Sequence, residues 1–294
     1  MATPSTATSA PSTSANQAVT FALSYGDLFL TNLSESFSSI ESDNQADTSA
    51  FADGGTATVH NDAIVETDDT EVFTFATSSA SGENITHFGL AQTHATTVGN
   101  FSINAGKILS FNFTSAIDLE TSIEVPQKIE NVSVIREVSF SFYDTSDIPK
   151  EKLSEFLANL LSDPNSIQKS PLIFFSLSAN LTTSGNDNYL TSKKSENVTI
   201  STEFKDSNFA GSQKFASTFV RGSVKHSFNR QANVTLVVLR NGQARVAAPE
   251  PKQTFALRSM PASAPQGAVT QGRRPGAPSN RYSDRKVVKY TVGK

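Results

Sequence analysis

Residues 109–114 read Leu-Ser-Phe-Asn-Phe-Thr, and residues 138–142 read Val-Ser-Phe-Ser-Phe. In both stretches a large apolar side chain alternates with a polar one. This period of two places the apolar side chains on one face of a β-strand and the polar ones on the other, which is typical of an antiparallel sheet with one dry face. Phenylalanine at the dry positions predicts a core formed between two packed sheets.

Similar segments recur along the chain, with turn-forming residues between them. They are 56–66, 71–77, 84–91, 94–103, 107–119, 132–143, 171–183, 195–204, 215–228 and 232–240. Two further strands are expected at 19–24 and 27–33, on either side of Gly26, and the Ser/Asp/Gly-rich residues 34–55 are expected to form a loop. This spacing predicts an all-β fold, an antiparallel β-sandwich of jelly-roll-like type.

One segment follows a helical pattern instead. Its apolar residues are Leu153, Phe156, Leu157, Leu160 and Leu161. This spacing places them on one face of a helix. Pro149 suits the first turn, and Asp163–Pro164 would end the helix. We predict an amphipathic helix at about 149–162, packed across a face or an opening of the sandwich; the alternative is a helix that binds a partner.

Composition divides the chain into four parts. Residues 1–17 are rich in Ser and Thr and are expected to be disordered, whereas residues 18–246 carry the pattern of the β-sandwich domain. Residues 247–284 are rich in Pro, Ala, Gly and Ser, which is typical of a linker. Residues 285–294 alternate again and predict a basic C-terminal strand with no neighbouring hairpin partner.

Charge is distributed unevenly between the body and the tail. The chain of 294 residues has 24 basic and 28 acidic side chains, a net charge of -4. Residues 252–294 carry nine basic side chains and one acidic one, Asp284, whereas residues 1–251 carry 15 basic and 27 acidic ones. Opposite charges attract within or between chains, so the tail is expected to contact the body of a second copy. The acidic body argues against a nucleic-acid partner.

The residues expected to make this contact lie in the C-terminal strand. They are Arg285, Lys286, Val288, Lys289, Tyr290 and Val292. A sandwich has open sheet edges, and backbone groups at such an edge can accept an added strand. We therefore predict that residues 285–292 pair with a sheet edge of a neighbouring subunit. A disordered tail, or pairing with its own domain, is the alternative.

Signatures of catalysis and of cofactor binding are missing from the sequence. With no Cys, disulfides, thiolate metal sites and cysteine nucleophiles are excluded. The four histidines lack the spacing of a metal pair, and no nucleophile elbow, phosphate-binding loop or dinucleotide motif occurs. Acidic groups at 68–71 and 185–188 offer oxygen ligands for Ca²⁺, although turn formation also explains residues 185–188. We predict a non-enzymatic protein that folds without a metal or cofactor.

The end of the body carries a short family motif. Residues 233–239 read Asn-Val-Thr-Leu-Val-Val-Leu, and residues 247–251 read Ala-Ala-Pro-Glu-Pro. A Phe- and Ser/Thr-rich β-domain with this boundary resembles the cyanobacterial PEP-CTERM-type secreted proteins, over residues 18–251. The resemblance implies an extracellular β-domain. In that family a membrane helix follows the Pro-Glu-Pro motif, whereas residues 252–294 contain no apolar helix and the N-terminus lacks the apolar region of a secretion signal. A domain that is released or assembled, rather than anchored in a membrane, is expected.

Three functions fit this sequence. The first is an extracellular or cell-surface structural protein that self-associates into a filament, sheath or matrix. The second is a carbohydrate-binding jelly-roll module, against which the absence of Trp and the presence of only five Tyr argue, since sugars stack on these rings. The third is a β-sandwich hydrolase, which no sequence motif supports. We expect the first, with a second copy of the chain as partner and a polysaccharide as the further candidate.

Overall fold

The computed structural model describes residues 19–53, 56–83, 86–123, 130–162, 169–183 and 187–248. The strands are β1 (Thr20–Thr31), β2 (Ser39–Asp53), β3 (Thr56–Thr67), β4 (Val72–Glu83), β5 (Thr86–Ile103), β6 (Ile108–Ser122), β7 (Asn131–Asp144), β8 (Ile173–Thr182), β9 (Tyr189–Lys194), β10 (Val198–Asn208), β11 (Gln213–Ser227) and β12 (Ala232–Ala248). In the described part of the chain there is one helix, α1 (Lys150–Ser162), which lies between β7 and β8.

The strands form two six-stranded antiparallel sheets that pack against each other. Sheet A has the order β10-β11-β6-β1-β4-β3, and sheet B has the order β2-β5-β12-β7-β8-β9. The chain passes repeatedly from one sheet to the other, so most neighbours within a sheet are distant in sequence. The predicted all-β sandwich is therefore confirmed.

Phenylalanine fills one part of the space between the sheets. Phe140 on β7 is fully buried and its ring centroid lies 5.2 Å from that of Phe113 and 5.6 Å from that of Phe175. Phe111 and Phe142 extend the cluster, with their centroids 5.2 Å apart. Burying one such side chain stabilises a fold by about 1.5–3 kcal/mol. The predicted inward faces of residues 109–113 and 138–142 are confirmed.

Small residues line the interior along the first part of β1, which the sequence did not predict. β1 turns Ala22, Ser24 and Gly26 inward, and its larger residues Phe21 and Tyr25 outward. The expected division of this region at Gly26 is wrong, because β1 continues through it. A Cβ at Gly26 would lie 2.9 Å from Cγ2 of Val138 and 3.0 Å from Cδ of Arg136, so glycine allows the sheets to approach closely here.

Two other strand predictions are corrected. The expected loop at 34–55 contains β2, which pairs along its length with β5 at the edge of sheet B. A polar, exposed edge strand is held by backbone hydrogen bonds, so it needs no apolar pattern. The separate strands expected at 84–91 and 94–103 form one strand, β5, and β9 was not expected at all.

The helix is confirmed within one residue of its expected start. Leu160 is fully buried against the outer face of sheet B, where it packs with Val98, Tyr143 and Val237. Phe156 and Leu157 are partly buried in the same cluster. The apolar face of α1 is thus used for packing on the sandwich. Within the described residues, no helix is long and apolar enough to cross a membrane.

The chain ends expected to be disordered, a linker or a strand lie outside the described residues. This applies to residues 1–17 and to residues 249–294, including the predicted strand 285–294. β12 extends to Ala248, two residues beyond the expected boundary at 246.

Candidate functional site

The outer face of sheet A carries aromatic and acidic side chains together. Strand register places Phe204, Phe219, Ala116, Asp27, Phe75 and Ile64 in one row across all six strands. We call this surface the aromatic–acidic face. It arises because β1 and β4 direct small residues into the core, which leaves their large side chains outside.

Two aromatic pairs stabilise the β1–β4 part of this face. The ring centroids of Tyr25 and Phe75 are 5.4 Å apart, and those of Phe29 and Phe73 are 6.0 Å apart, both with edge-to-face geometry. Such pairs contribute about 0.5–1.5 kcal/mol beyond area burial. These rings therefore form a fixed apolar surface on the outside of the sandwich.

The β10–β11 part of the same face is more open to solvent. Phe204 is 57% exposed and lies opposite Phe219 in the strand register. Phe215 is also exposed on β11. The guanidinium carbon of Arg221 lies 5.9 Å from the centroid of the Phe219 ring, a cation–π distance. Because β10 is an edge strand, this apolar patch adjoins backbone groups that have no neighbouring strand in the sheet.

Acidic side chains outnumber basic ones on the aromatic–acidic face. The acidic ones are Asp27, Asp62, Glu66, Glu83, Asp118, Glu120 and Asp206, and the basic ones are Arg221 and Lys225. The carboxylate of Asp118 accepts a hydrogen bond from the Ser217 hydroxyl on the next strand. The face therefore presents negative charge beside its apolar rings, which suits a partner with basic and aromatic or aliphatic side chains.

Asp27 is an acidic residue of this face that accepts hydrogen bonds from two neighbours. Its Oδ2 accepts a hydrogen bond from the Tyr25 hydroxyl at 2.7 Å, and its Oδ1 accepts one from the Ala116 N–H at 2.9 Å. Burial raises the pKa of the Asp27 carboxyl, and the nearby charge of Asp118 acts in the same direction, while the two hydrogen bonds oppose the rise.

Asp27→Asn is expected to make the protein relatively more stable as pH rises. Because the folded-state pKa lies above the unfolded value of about 4, the protonated carboxyl stabilises the fold at low pH. Wild type loses that stability as the pH rises through the folded-state pKa of Asp27. Asparagine has no proton to lose, so the stability of Asp27→Asn does not fall in this way. Urea unfolding of both proteins across this pH range measures the difference. The exposed Asp62→Asn serves as control, and a loss of Asp27→Asn stability relative to wild type as pH rises would contradict the expectation.

A groove of about 280 Å³ lies on the outer face of sheet B. Hydroxyl groups of Ser139, Ser141 and Ser176 line it, together with the Glu137 carboxylate and the Phe174 ring. Hydrogen-bonding groups beside an aromatic ring match the chemistry of a sugar. No sequence motif marked this groove.

The histidines occupy separate places in the fold. His87 and His94 both lie on β5, but His87 is buried and points inward, whereas His94 lies on the outer face and bonds to Asn241 through Nδ1 at 2.5 Å. Across the described part of the chain, no three His, Asp or Glu side chains form a group that could hold a metal ion.

The two acidic loops use side chains in turns. Oδ1 of Asp68 accepts a hydrogen bond from the Thr70 N–H at 2.8 Å, and Oδ1 of Asn188 accepts one from the Thr182 N–H at 2.7 Å. The Asp68 bond is an Asx turn, the ordinary use of aspartate in turns, whereas the Asn188 bond joins the end of β8 to the residue before β9. Residues 184–186 of the second loop lie outside the described part.

The structure does not describe the residues that the sequence singled out for self-association. Arg285, Lys286, Val288, Lys289, Tyr290 and Val292 all lie outside the described residues. Comparison of the chain with family models, with curated proteins and with solved structures found no match. The case for a function therefore rests on the surfaces of this domain.

Proposed function

We propose that this chain is a non-enzymatic structural protein that self-associates, and that the aromatic–acidic face is the surface on which a second copy docks. The observation that carries the proposal is the exposed patch of Phe204, Phe215 and Phe219 beside the edge strand β10. An apolar patch next to an open sheet edge favours association with another chain. The extracellular or cell-surface location rests on the resemblance to PEP-CTERM-type proteins alone.

Charge supports a second copy as the occupant. The face is acidic, whereas residues 252–294 carry nine basic side chains against one acidic one. Within residues 285–292, Val288, Tyr290 and Val292 alternate with Lys289 and Thr291. The backbone of such a segment can form hydrogen bonds with a free sheet edge. Its apolar side chains can pack on the rings of the face, and its basic side chains can pair with the carboxylates. In the proposed assembly, the tail of one subunit contacts the aromatic–acidic face of the next.

Replacing Phe204 and Phe219 together with serine is expected to abolish self-association. Both changes lie on the outer face, so the fold should be retained while the apolar patch is lost. Sedimentation velocity over a range of concentrations measures the effect. Phe51→Ser is the matched control, since Phe51 is 60% exposed but lies on β2 of the other sheet. Association of the double variant at wild-type level would contradict the proposal.

Carbohydrate binding is the second candidate, and the groove on sheet B is the observation that favours it. Ser139, Ser141 and Glu137 offer hydrogen bonds there, and Phe174 offers a ring. The two candidates use opposite sides of the sandwich, so they can be separated. Binding to a glycan array that is lost in Phe174→Ala and kept in the Phe204/Phe219 double variant would favour the second candidate.

A further inference from the structure

Two arginines lie inside the sandwich on adjacent strands. Arg136 on β7 is 0% exposed and Arg240 on β12 is 1% exposed. Arg136 is opposite Gly242 in the strand register, and Arg240 is two residues before Gly242. The two side chains are therefore diagonal neighbours on the same inward face, at a distance that long side chains can bridge.

The three side-chain hydrogen bonds of Arg136 go to uncharged acceptors. Its Nε donates to the Ser24 hydroxyl at 2.9 Å, its Nη2 to the Ser24 carbonyl at 2.6 Å, and its Nη1 to the Thr93 hydroxyl at 3.2 Å. The Ser78 and Thr93 hydroxyls are 3.1 Å apart, so the region has several hydroxyl groups. None of these groups carries a compensating negative charge.

Among the described residues, no group forms a hydrogen bond with any of the three side-chain nitrogens of Arg240. The ion pairs of the described residues join Lys169 to Asp147, Lys205 to Glu203 and Arg230 to Asp144, so neither buried arginine takes part in one. A buried charge without a partner is strongly unfavourable, and buried charges in proteins are normally paired.

Both guanidinium groups retain their charge at neutral pH. Burial lowers the pKa of Arg136 to about 9, with a further contribution from the charge of Arg240, and burial lowers the pKa of Arg240 to about 10. Two positive charges thus share one interior region, with the Ser78 and Thr93 hydroxyls nearby. Guanidinium and hydroxyl groups are the donors with which proteins bind anions.

We infer that Arg240, together with the neighbouring Arg136, binds a small inorganic anion, a halide or an oxyanion, inside the sandwich. The anion neutralises charge that no carboxylate of the described residues neutralises, and it accepts the hydrogen bonds that Arg240 does not make within the protein. The ligand is structural, because both arginine side chains lie between the sheets and away from the groove on the outer face of sheet B.

Thermal unfolding of the full chain tests this inference. The ionic strength is held constant with a bulky organic salt, which is replaced stepwise by chloride, sulfate or phosphate. The melting temperature is expected to rise with at least one of these anions, because a ligand of the folded state stabilises it. The three arms distinguish a halide from an oxyanion.

Two variants assign the effect. Arg240→Met is expected to lose the dependence on the anion. Arg245→Met is expected to keep it, because Arg245 lies on the same strand but on the outer face, beside Phe88. The inference is overturned if none of the three anions raises the melting temperature above its value in the organic salt. It is also overturned if the anion raises the melting temperature of both variants by the same amount.

If Arg240→Met does not fold, the wild-type protein decides the question. Folded protein is equilibrated with the anion, desalted and then denatured, and the released anion is measured by ion chromatography. A stoichiometric release supports the site, because an anion enclosed between the sheets leaves only when the structure opens. The control is protein that was denatured before desalting. If the folded protein releases no more anion than this control, the inference is overturned.

Discussion

Changing Gly242 to alanine is expected to lower the free energy of unfolding by about 3–5 kcal/mol, since it adds overpacking to the disturbance of a charged hydrogen-bond network. A Cβ at this position would lie 2.2 Å from Cζ and 2.3 Å from Nη1 of Arg136. The guanidinium cannot retreat without losing its bonds to Ser24 and Thr93. Urea unfolding followed by circular dichroism measures the change.

A double-mutant cycle shows whether Arg136 causes this effect. Arg136→Met removes the guanidinium that the added methyl group would meet, so Gly242→Ala should destabilise the Arg136→Met protein by less than it destabilises wild type. Equal losses of stability in the two backgrounds would show that the clash with Arg136 is not the cause.

Changing Phe140 to alanine is expected to destabilise the sandwich by about 3–5 kcal/mol, the usual range for a buried phenylalanine. Its fully buried ring contacts Phe113 on sheet A and Phe175 on sheet B, so the change opens a cavity at the centre of the core. Urea unfolding measures this loss too. Phe51→Ala, which truncates a 60% exposed ring, should change stability by less than about 0.5 kcal/mol. Similar effects of the two changes would show that Phe140 does not lie in the core.

The fold class could be predicted because the strands with the strongest alternation form the centre of the core. Leu109, Phe111 and Phe113 on β6 are buried, as are Phe140 and Phe142 on β7. Apolar side chains at every second position leave a strand only one way to face the core. The helix could be predicted for the same reason, because its apolar spacing matches one helical face.

The aromatic–acidic face could not be predicted, because β1 and β4 reverse the usual pattern. Alternation shows which residues share a face, but not which face is buried. In β1 the smaller Ala22 and Ser24 are inside, and the larger Phe21 and Tyr25 are outside. The reason is Arg136 on sheet B, whose side chain projects towards β1 and occupies the space between the two sheets.

The two buried arginines interrupt the apolar alternation of their strands, and this interruption is visible in the sequence. Arg136 stands between Val134 and Val138 at a core position of β7, and Arg240 follows Val238 at a core position of β12. A charged residue at a position where the period requires an apolar one marks a strained or functional place. The partners of Arg136, Ser24 and Thr93, come from strands distant in sequence, so only the structure shows what it contacts.

The basic tail, residues 252–294, and the aromatic–acidic face are complementary in charge, so removing the tail tests the proposed function most directly. Sedimentation velocity compares the full chain with a chain lacking residues 252–294, at low and at high salt. The full chain is expected to form assemblies that become smaller in high salt, because the screening length falls from about 30 Å at 0.01 M to about 3 Å at 1 M. The truncated chain is expected to sediment as a monomer in both. A truncated chain that assembles as well as the full chain, or a full chain that is monomeric at every concentration, would contradict the proposed function.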